Sequence, residues 1–363
     1  MRRARALIVG GGPAGSAAAI ALGRAGAAPQ LIERSEGPRD VVCGGFLGWD
    51  AIAALRRLGI DIAALGARPI DRLRLVSGRH IVEAKLPRPA AGLSRRTLDE
   101  ALLAGAAAAG ATVVRGRSVR AGEEARRVRL DDGEEIEAEA LFLATGKHDL
   151  RGLARTLDGR REAPSAGLRA ALPGSQALDA ALAGRIELHL FDEGYAGLLL
   201  QEDGTANLCL SVSRRRLAAA GGPAELLADI LPEAPLLGQR LAATPGRWDA
   251  VAGIPYGWRT GLTAPGLFRL GDQAAVIASI AGDGIAIALA GGVAAAAAWR
   301  DGGPAAAEGF QRRFCARARR PVKVAEALRR AAERPARRSA LLGLVRTMPM
   351  LLPLAARLTR IGD

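Results

Sequence analysis

The feature that most constrains this chain is a glycine-rich turn set between a short apolar run and an alanine-rich stretch. Ala6-Leu7-Ile8-Val9 reads as a buried parallel strand, Gly10-Gly11-Gly12-Pro13-Ala14-Gly15 follows, and Ser16 to Ala25 has helical composition. A second apolar run, Gln30-Leu31-Ile32, ends at Glu33, with Arg34 next to it. Each piece has a physical task. Gly10 permits a tight turn, Gly12 lets backbone approach a pyrophosphate, and Gly15 lets the helix pack close to the strand. Pro13 and Ala14 continue the backbone whose free N–H groups, with the positive end of the helix dipole, face phosphate oxygens. Glu33 can accept hydrogen bonds from ribose hydroxyls. Strand, turn, helix, strand and acid occur in the order that a dinucleotide site requires.

Composition excludes several other classes. The chain has 363 residues, 49% hydrophobic and 24% charged, which suits a globular protein of more than one domain. Cys43, Cys209 and Cys315 lie far apart without a histidine-spaced cluster, so neither a disulfide framework nor a metal site is expected. Of the net charge of +14, residues 312–363 carry +11. With aromatic residues at only 3% and no recognition motif, this basic stretch reads as a solvated helical face and not as a nucleic-acid groove. No secretory pattern follows Arg2, Arg3 and Arg5, and the uncharged run Gly284 to Trp299 is too short and too rich in Ala and Gly for a membrane span. A cytoplasmic protein is the expectation.

A second signal lies far along the chain. Gly266 to Leu270 reads as a strand, followed by Gly271-Asp272, then Gly282-Asp283-Gly284 and a helix from Ile285 to about Trp299. This arrangement resembles the second FAD motif of the para-hydroxybenzoate hydroxylase-like flavoproteins. The resemblance implies that Asp272 binds a ribityl or ribose hydroxyl and that the helix at Ile285 aims its N-terminus at the flavin pyrimidine edge. Ser94-Arg95-Arg96-Thr97-Leu98-Asp99 is similar to a third element of that family, whose arginine, here Arg95, lies along the FAD. Cys43-Gly44-Gly45-Phe46-Leu47 looks like a segment of the geranylgeranyl reductase-like branch, where such glycines let backbone pass against the flavin ring. The sequence departs from the aromatic hydroxylases at Thr145-Gly146, where they carry an Asp-Gly pair, and at Ala278, near a common proline.

The implied fold class is α/β: a Rossmann-like FAD-binding domain, an inserted mainly antiparallel β-sheet substrate domain and a helical C-terminal tail. The FAD-binding pieces are expected at 1–68, 93–162 and 260–311, the substrate domain at 69–92 and 163–259, and the basic helical segment at 312–363. Hairpins are expected around Ser77-Gly78 and Asp203-Gly204. Phe191, Tyr195, Leu198 and Trp258 are candidates for an apolar substrate wall, with core packing as the plainer role. Cys43, His189 and Tyr195 are the candidate catalytic residues, and His148 and His189 the candidates for proton transfer, with a structural role the plainer reading for each histidine and a buried inert thiol for Cys43.

The resemblance implies an FAD-dependent oxidoreductase exchanging hydride between flavin and an apolar polyketide, isoprenoid or acyl-type substrate. An NAD(P)H- and O₂-dependent flavin monooxygenase is the alternative, and a non-catalytic flavin-binding electron carrier is the rival from another class. No second glycine fingerprint occurs, so NAD(P)H is expected only as a transient electron donor. The apolar end Met348 to Leu354, beside arginines, adds a candidate peripheral membrane contact. Substrate identity, oligomeric state and covalent attachment of FAD stay open at this level.

Overall fold

The computed structural model describes residues 2–123, 126–157, 165–242, 244–348 and 350–362. Two sheets organise them. The first is built on parallel strands in the spatial order Thr112–Arg115, Gln30–Glu33, Arg2–Val9, Glu135–Leu143, Leu267–Arg269. Two antiparallel strands, Arg127–Leu130 and Val119–Glu123, extend it beyond Glu135–Leu143. Leu7, Ile8, Leu141, Phe142 and Phe268 are fully buried, as unbroken apolar runs covered on both faces must be. The chain leaves Arg2–Val9 toward Gln30–Glu33 on one side, while Glu135–Leu143 lies on the other. The C-terminal end of Arg2–Val9 is therefore the topological switch point, where α/β sheets open a crevice.

Helix Pro13–Arg24 packs directly against helix Gly284–Gly302. Small residues make this close approach possible: a Cβ on Gly292 would lie 2.3 Å from the carbonyl oxygen of Ala14. The uncharged run from Gly284 is thus a core helix. Phe142 stacks on Phe268 at 4.7 Å between centroids, and Phe268, Phe310 and Phe314 continue the row into helix Ala307–Ala332. Because that helix is pinned by this row, it begins before residue 312 and crosses the boundary expected at 311/312. The boundary expected at 162/163 and Pro349 lie outside the described residues.

The second sheet runs Asp249–Ile254, Ser165–Leu172, Ala206–Ser213, Gly194–Leu200, Gly184–Phe191, Arg68–Ser77, His80–Gly92, Phe46–Leu47. Its pairings are antiparallel except for Gly184–Phe191 beside Arg68–Ser77. The Asp203-Gly204 turn closes as expected, with Gly204 at φ +80° and the Asp203 carboxylate accepting from Thr205 N–H and hydroxyl. The other hairpin turns at Gly78-Arg79, one residue later than expected, because Ser77 already pairs with His80. One face of this sheet buries Leu168, Leu198, Leu208 and Val212 against the short helices Pro223–Ile230 and Pro235–Arg240. The other face looks back toward the first sheet. Helices Ala307–Ala332, Pro335–Thr347 and Leu351–Leu358 cover the junction. Among the described residues no single helix is long and apolar enough to cross a membrane.

Candidate active site

At the switch point the chain builds a phosphate cradle from backbone. Gly10 sits at φ +104°, a region closed to most side chains, and a Cβ there would lie 2.4 Å from the carbonyl oxygen of Ala144. A Cβ on Gly15 would fall 1.9 Å from the carbonyl oxygen of Gly10, so the helix reaches the strand only because residue 15 is glycine. Gly12 is the N-cap of helix Pro13–Arg24 and offers no side-chain cap, which leaves the first-turn N–H groups open. Glu33 turns its carboxylate into the same turn, accepting from Gly11 N–H at 2.7 Å and Ser35 N–H at 2.8 Å.

These groups open into a cavity of about 1080 Å³, just above the ~300–1,000 Å³ typical of small-molecule sites. Gly10, Gly12, Pro13, Ala14, Glu33, Arg34, Cys43, Gly44, Gly45, Arg95, Gly271, Asp272, Gly282, Gly284 and Ile285 all line it. Segments far apart in sequence therefore meet on one volume. Arg95 holds Asp99 through two hydrogen bonds of 2.8 and 2.7 Å. Burial works against its charge, but Asp99 and then Cys43 outweigh it, and the pKa of Arg95 is raised. Arg34 moves the other way, lowered by burial and by Arg39.

Several residues that sequence reasoning missed complete the site. Gln273 donates to the carbonyls of Gly146 at 2.9 Å and His148 at 3.1 Å, tying the second glycine motif to the loop after Glu135–Leu143. Lys147 reaches into the cavity with its Nζ 3.6 Å from Asp272 and 3.3 Å from the carbonyl of Val42. Burial opposes its charge, yet Asp272 and Cys43 outweigh burial and raise its pKa. The two tyrosines of the chain, Tyr195 and Tyr256, meet at Ser279, their hydroxyls 2.5 and 2.9 Å from its Oγ. Burial raises both tyrosine pKa values, Tyr195 well above the ordinary value, so both hold their protons near neutral pH. Cys209, also on the cavity wall, has its thiol pushed up to about 12 by burial. Tyr195 is among the residues expected from sequence and Tyr256 is not; strand 194–200 and the residues just past strand 249–254, three places apart in the second sheet, bring the pair together.

Other expected site residues lie elsewhere. In strand Gly184–Phe191, Ile186, Leu188 and Leu190 line the cavity, so Glu187, His189 and Phe191 point to the opposite face. His189 is fully buried with its Nε2 3.1 Å from Glu187, a structural pair and not a proton donor to the site. Phe191 and Leu198 belong to the core under the short helices, as strand alternation requires. Trp258 lies behind the loop at 145–149, its indole donating to the Thr156 carbonyl at 3.0 Å and its ring beneath Arg155. Of the four wall candidates Tyr195 alone reaches the cavity. Gly15 sits behind the cradle at the strand–helix contact, and Asp283 is buried off the cavity wall, paired with Arg360, which itself lines the cavity. His148 does line the cavity, its pKa lowered by burial and by Arg34.

Comparison with known proteins places this geometry. A family described as FAD binding domain matches residues 3–152, the segment that carries the cradle, Glu33 and Arg95. The chain carries an FAD-binding domain. This flavoprotein is 28% identical over 323 residues to a menaquinone reductase of Mycolicibacterium smegmatis, spanning 83% of this chain and 77% of that protein. Its fold is shared with a geranylgeranyl bacteriochlorophyll reductase-like protein of Thermoplasma acidophilum, with TM-score 0.76 and 20% identity over 100% of this chain and 94% of that one. It is shared also with PqsL of Pseudomonas aeruginosa in complex with 2-aminobenzoylacetate, with TM-score 0.71 and 20% identity over 93% and 98% of the two chains. The cradle fits the cofactor on its own terms: its turn admits no side chain at Gly10 or Gly15, its helix N-terminus is uncapped, and its cavity continues past the phosphate end.

Proposed function

We propose that this flavoprotein exchanges hydride between its FAD and an apolar substrate carrying a carbonyl, quinone or similar oxygen head, with an isoprenoid, polyketide or acyl body. The observation that carries this reading is the shape and lining of the cavity beyond the cradle. It runs between Leu73, Leu75, Leu188 and Leu190 of the second sheet and Leu341 and Leu352 of the C-terminal helices. In that apolar chamber the Tyr195–Ser279–Tyr256 hydroxyl cluster is a polar feature suited to hold a substrate oxygen.

When bound, FAD supplies two-electron hydride chemistry; the protein's part is placement and proton handling. The glycine turn and the helix N-terminus at Pro13 hold the pyrophosphate, Glu33 the ribose, and Asp272, kept in place by Lys147, a ribityl or ribose hydroxyl. Leucines from both sheet and tail exclude water from the chamber. Tyr195, still protonated at neutral pH, donates a hydrogen bond to the substrate oxygen, and Ser279 and Tyr256 relay a proton behind it.

The likeness to a menaquinone reductase supports a lipid-like substrate. A peripheral contact with a lipid surface belongs to the same reading. Leu344 and Leu354 line the chamber and are each 50% exposed, and Met350 beside them is 71% exposed. Arg337, Arg346 and Arg357 are exposed on the same two helices, a combination that suits anionic lipid. The structural neighbour PqsL, described as "a probable FAD-dependent monooxygenase", supports the alternative of oxygen insertion.

One experiment separates the two. The flavoprotein is reduced anaerobically and mixed with a short-chain quinone or with O₂. Fast reoxidation by the quinone, with two electrons delivered and no oxygenated product, is the expected result. Oxygen uptake matched by oxygenated substrate would replace it with the monooxygenase, and a reduced flavin that reacts with neither would leave an electron carrier.

A further inference from the structure

The Gly282-Asp283-Gly284 turn holds an unusual arrangement of charge. Asp283 is the N-cap of helix Gly284–Gly302, the position at which an aspartate ordinarily accepts hydrogen bonds from the first-turn N–H groups. It makes no such cap. Its carboxylate is fully buried and pairs with the guanidinium of Arg360, whose side chain is only 7% exposed. Among the described residues neither carboxylate oxygen accepts a hydrogen bond from another group. A buried carboxylate without a cation is strongly unfavourable, so Arg360 is what makes Asp283 tolerable there.

Arg360 is delivered by a dedicated path. It lies just past helix Leu351–Leu358, where Thr359 and Ile361 are themselves buried and Arg317 donates to the Ile361 carbonyl. Its guanidinium lies over the ring of Trp49 at 4.2 Å and within 3.7 Å of Asp50. It passes Gly48, where a Cβ would lie 2.3 Å from its Nη1. Burial lowers its pKa, with Asp50 opposing, as for a cation drawn out of water.

The uncapped helix end faces the cofactor volume. Gly284 and Ile285 line the cavity that also contains the glycine cradle, and a Cβ on Gly284 would meet open space. First-turn N–H groups have no partner within their helix, and the dipole there favours negative charge. We propose that Arg360 is a positioning residue for flavin redox chemistry: by pairing with Asp283 it keeps that carboxylate off the end of helix Gly284–Gly302, leaving the helix open to the negative charge that reduced FAD carries. This rests on the FAD reading of the cavity. Without the pair, Asp283 either caps the helix or leaves an uncompensated negative charge beside it, and both outcomes disfavour the reduced cofactor.

The test is the two-electron reduction potential of bound FAD, measured by anaerobic dye equilibration on the wild-type holoprotein and on Arg360→Met, Asp283→Asn and the double variant. Arg360→Met is expected to shift the reduction equilibrium about tenfold toward oxidised FAD, which is about 30 mV more negative. Asp283→Asn, with Arg360 retained, is expected to shift it the opposite way. The double variant is expected to return to within about threefold of wild type, about 14 mV. A purely structural role would move the single and double variants alike, so equal shifts in Arg360→Met and the double variant, or an unchanged potential, overturn the proposal. Should Arg360→Met not fold, Asp283→Asn decides: a positive shift supports the proposal and no shift ends it. Flavin content is measured first, since a wild-type protein that takes up no FAD refutes the cofactor reading itself, a different result from an unmoved potential.

Discussion

Gly15→Ala probes the cradle most directly. The added methyl carbon would lie 1.9 Å from the Gly10 carbonyl oxygen and 3.1 Å from Ile8 Cγ2. Ordinary carbon–oxygen contact needs more than 3 Å, so helix Pro13–Arg24 and the turn must separate by over ~1 Å. The helix cannot retreat freely, because Gly292 of the neighbouring helix already approaches Ala14 so closely that a Cβ would lie 2.3 Å from its carbonyl oxygen. A shift of that size stretches N–H to phosphate hydrogen bonds from ~2.9 Å to nearly 4 Å, past useful length. Each such charge-assisted bond contributes about 1.5–3 kcal/mol, so losing two weakens FAD by about 3–6 kcal/mol, or roughly 10²–10⁴ in Kd. The assay is titration of apoprotein with FAD, followed by flavin fluorescence quenching, with circular dichroism melts alongside. Gly246→Ala is the control: Gly246 is exposed and away from the cavity, a Cβ there meets nothing within 4 Å, and the Kd is expected to stay within about threefold of wild type. A folded Gly15→Ala protein that binds FAD as tightly as wild type would refute the close-packing argument for the cradle.

Glu187 governs acid stability. Burial alone would raise its pKa, but hydrogen bonds from His189 and Arg240 outweigh burial and hold it down to about 2, against an ordinary 4.5. Arg74 adds a third contact at 2.7 Å. A depressed carboxylate contributes its full stabilisation above the unfolded value, here about 3 kcal/mol, and loses it as pH falls from about 4.5 toward 2. Glu187→Gln should flatten that limb of a pH–stability curve from urea melts; an unchanged slope would remove the pair from the account. Tyr195→Phe should retain FAD while slowing reoxidation by a quinone about 100-fold at neutral pH, and an unchanged rate would take Tyr195 out of proton delivery. Leu344→Asp/Leu354→Asp should abolish co-sedimentation with phosphatidylglycerol vesicles that the native chain shows at low salt, and a native chain that stays in the supernatant would exclude the lipid contact.

Much of the first sheet was legible because its signals are local. Gly10 and Gly15 are needed by backbone geometry alone, and the apolar runs at 6–9, 30–32 and 141–143 mark covered strands whatever surrounds them. The direction of side chains in the second sheet was not legible in the same way. In strand Gly184–Phe191 both faces are covered, one by the cavity wall and the other by helices, so apolar character did not tell Leu190 from Phe191 or give His189 its face. The Tyr195–Ser279–Tyr256 cluster and the Arg360–Asp283 pair join residues more than 20 and more than 70 positions apart, and their chemistry exists only once the fold has brought them together. Asp283 shows the difference well: it sits inside the second glycine motif, beside residues that line the cofactor cavity, yet its partner comes from the tail.

The pairing of Gly184–Phe191 with Arg68–Ser77 has a kinetic consequence. It is the one parallel junction in the second sheet among the described strands, and it joins segments over 100 residues apart. No hairpin can form it, so its loop-closure entropy must be met before the chamber wall exists. The three-strand meander from Gly184 to Ser213 can assemble early from neighbouring sequence, while hairpin 68–92 waits to be sutured on at its edge. Until then that meander exposes an unpaired edge, so refolding yield should fall as protein concentration rises.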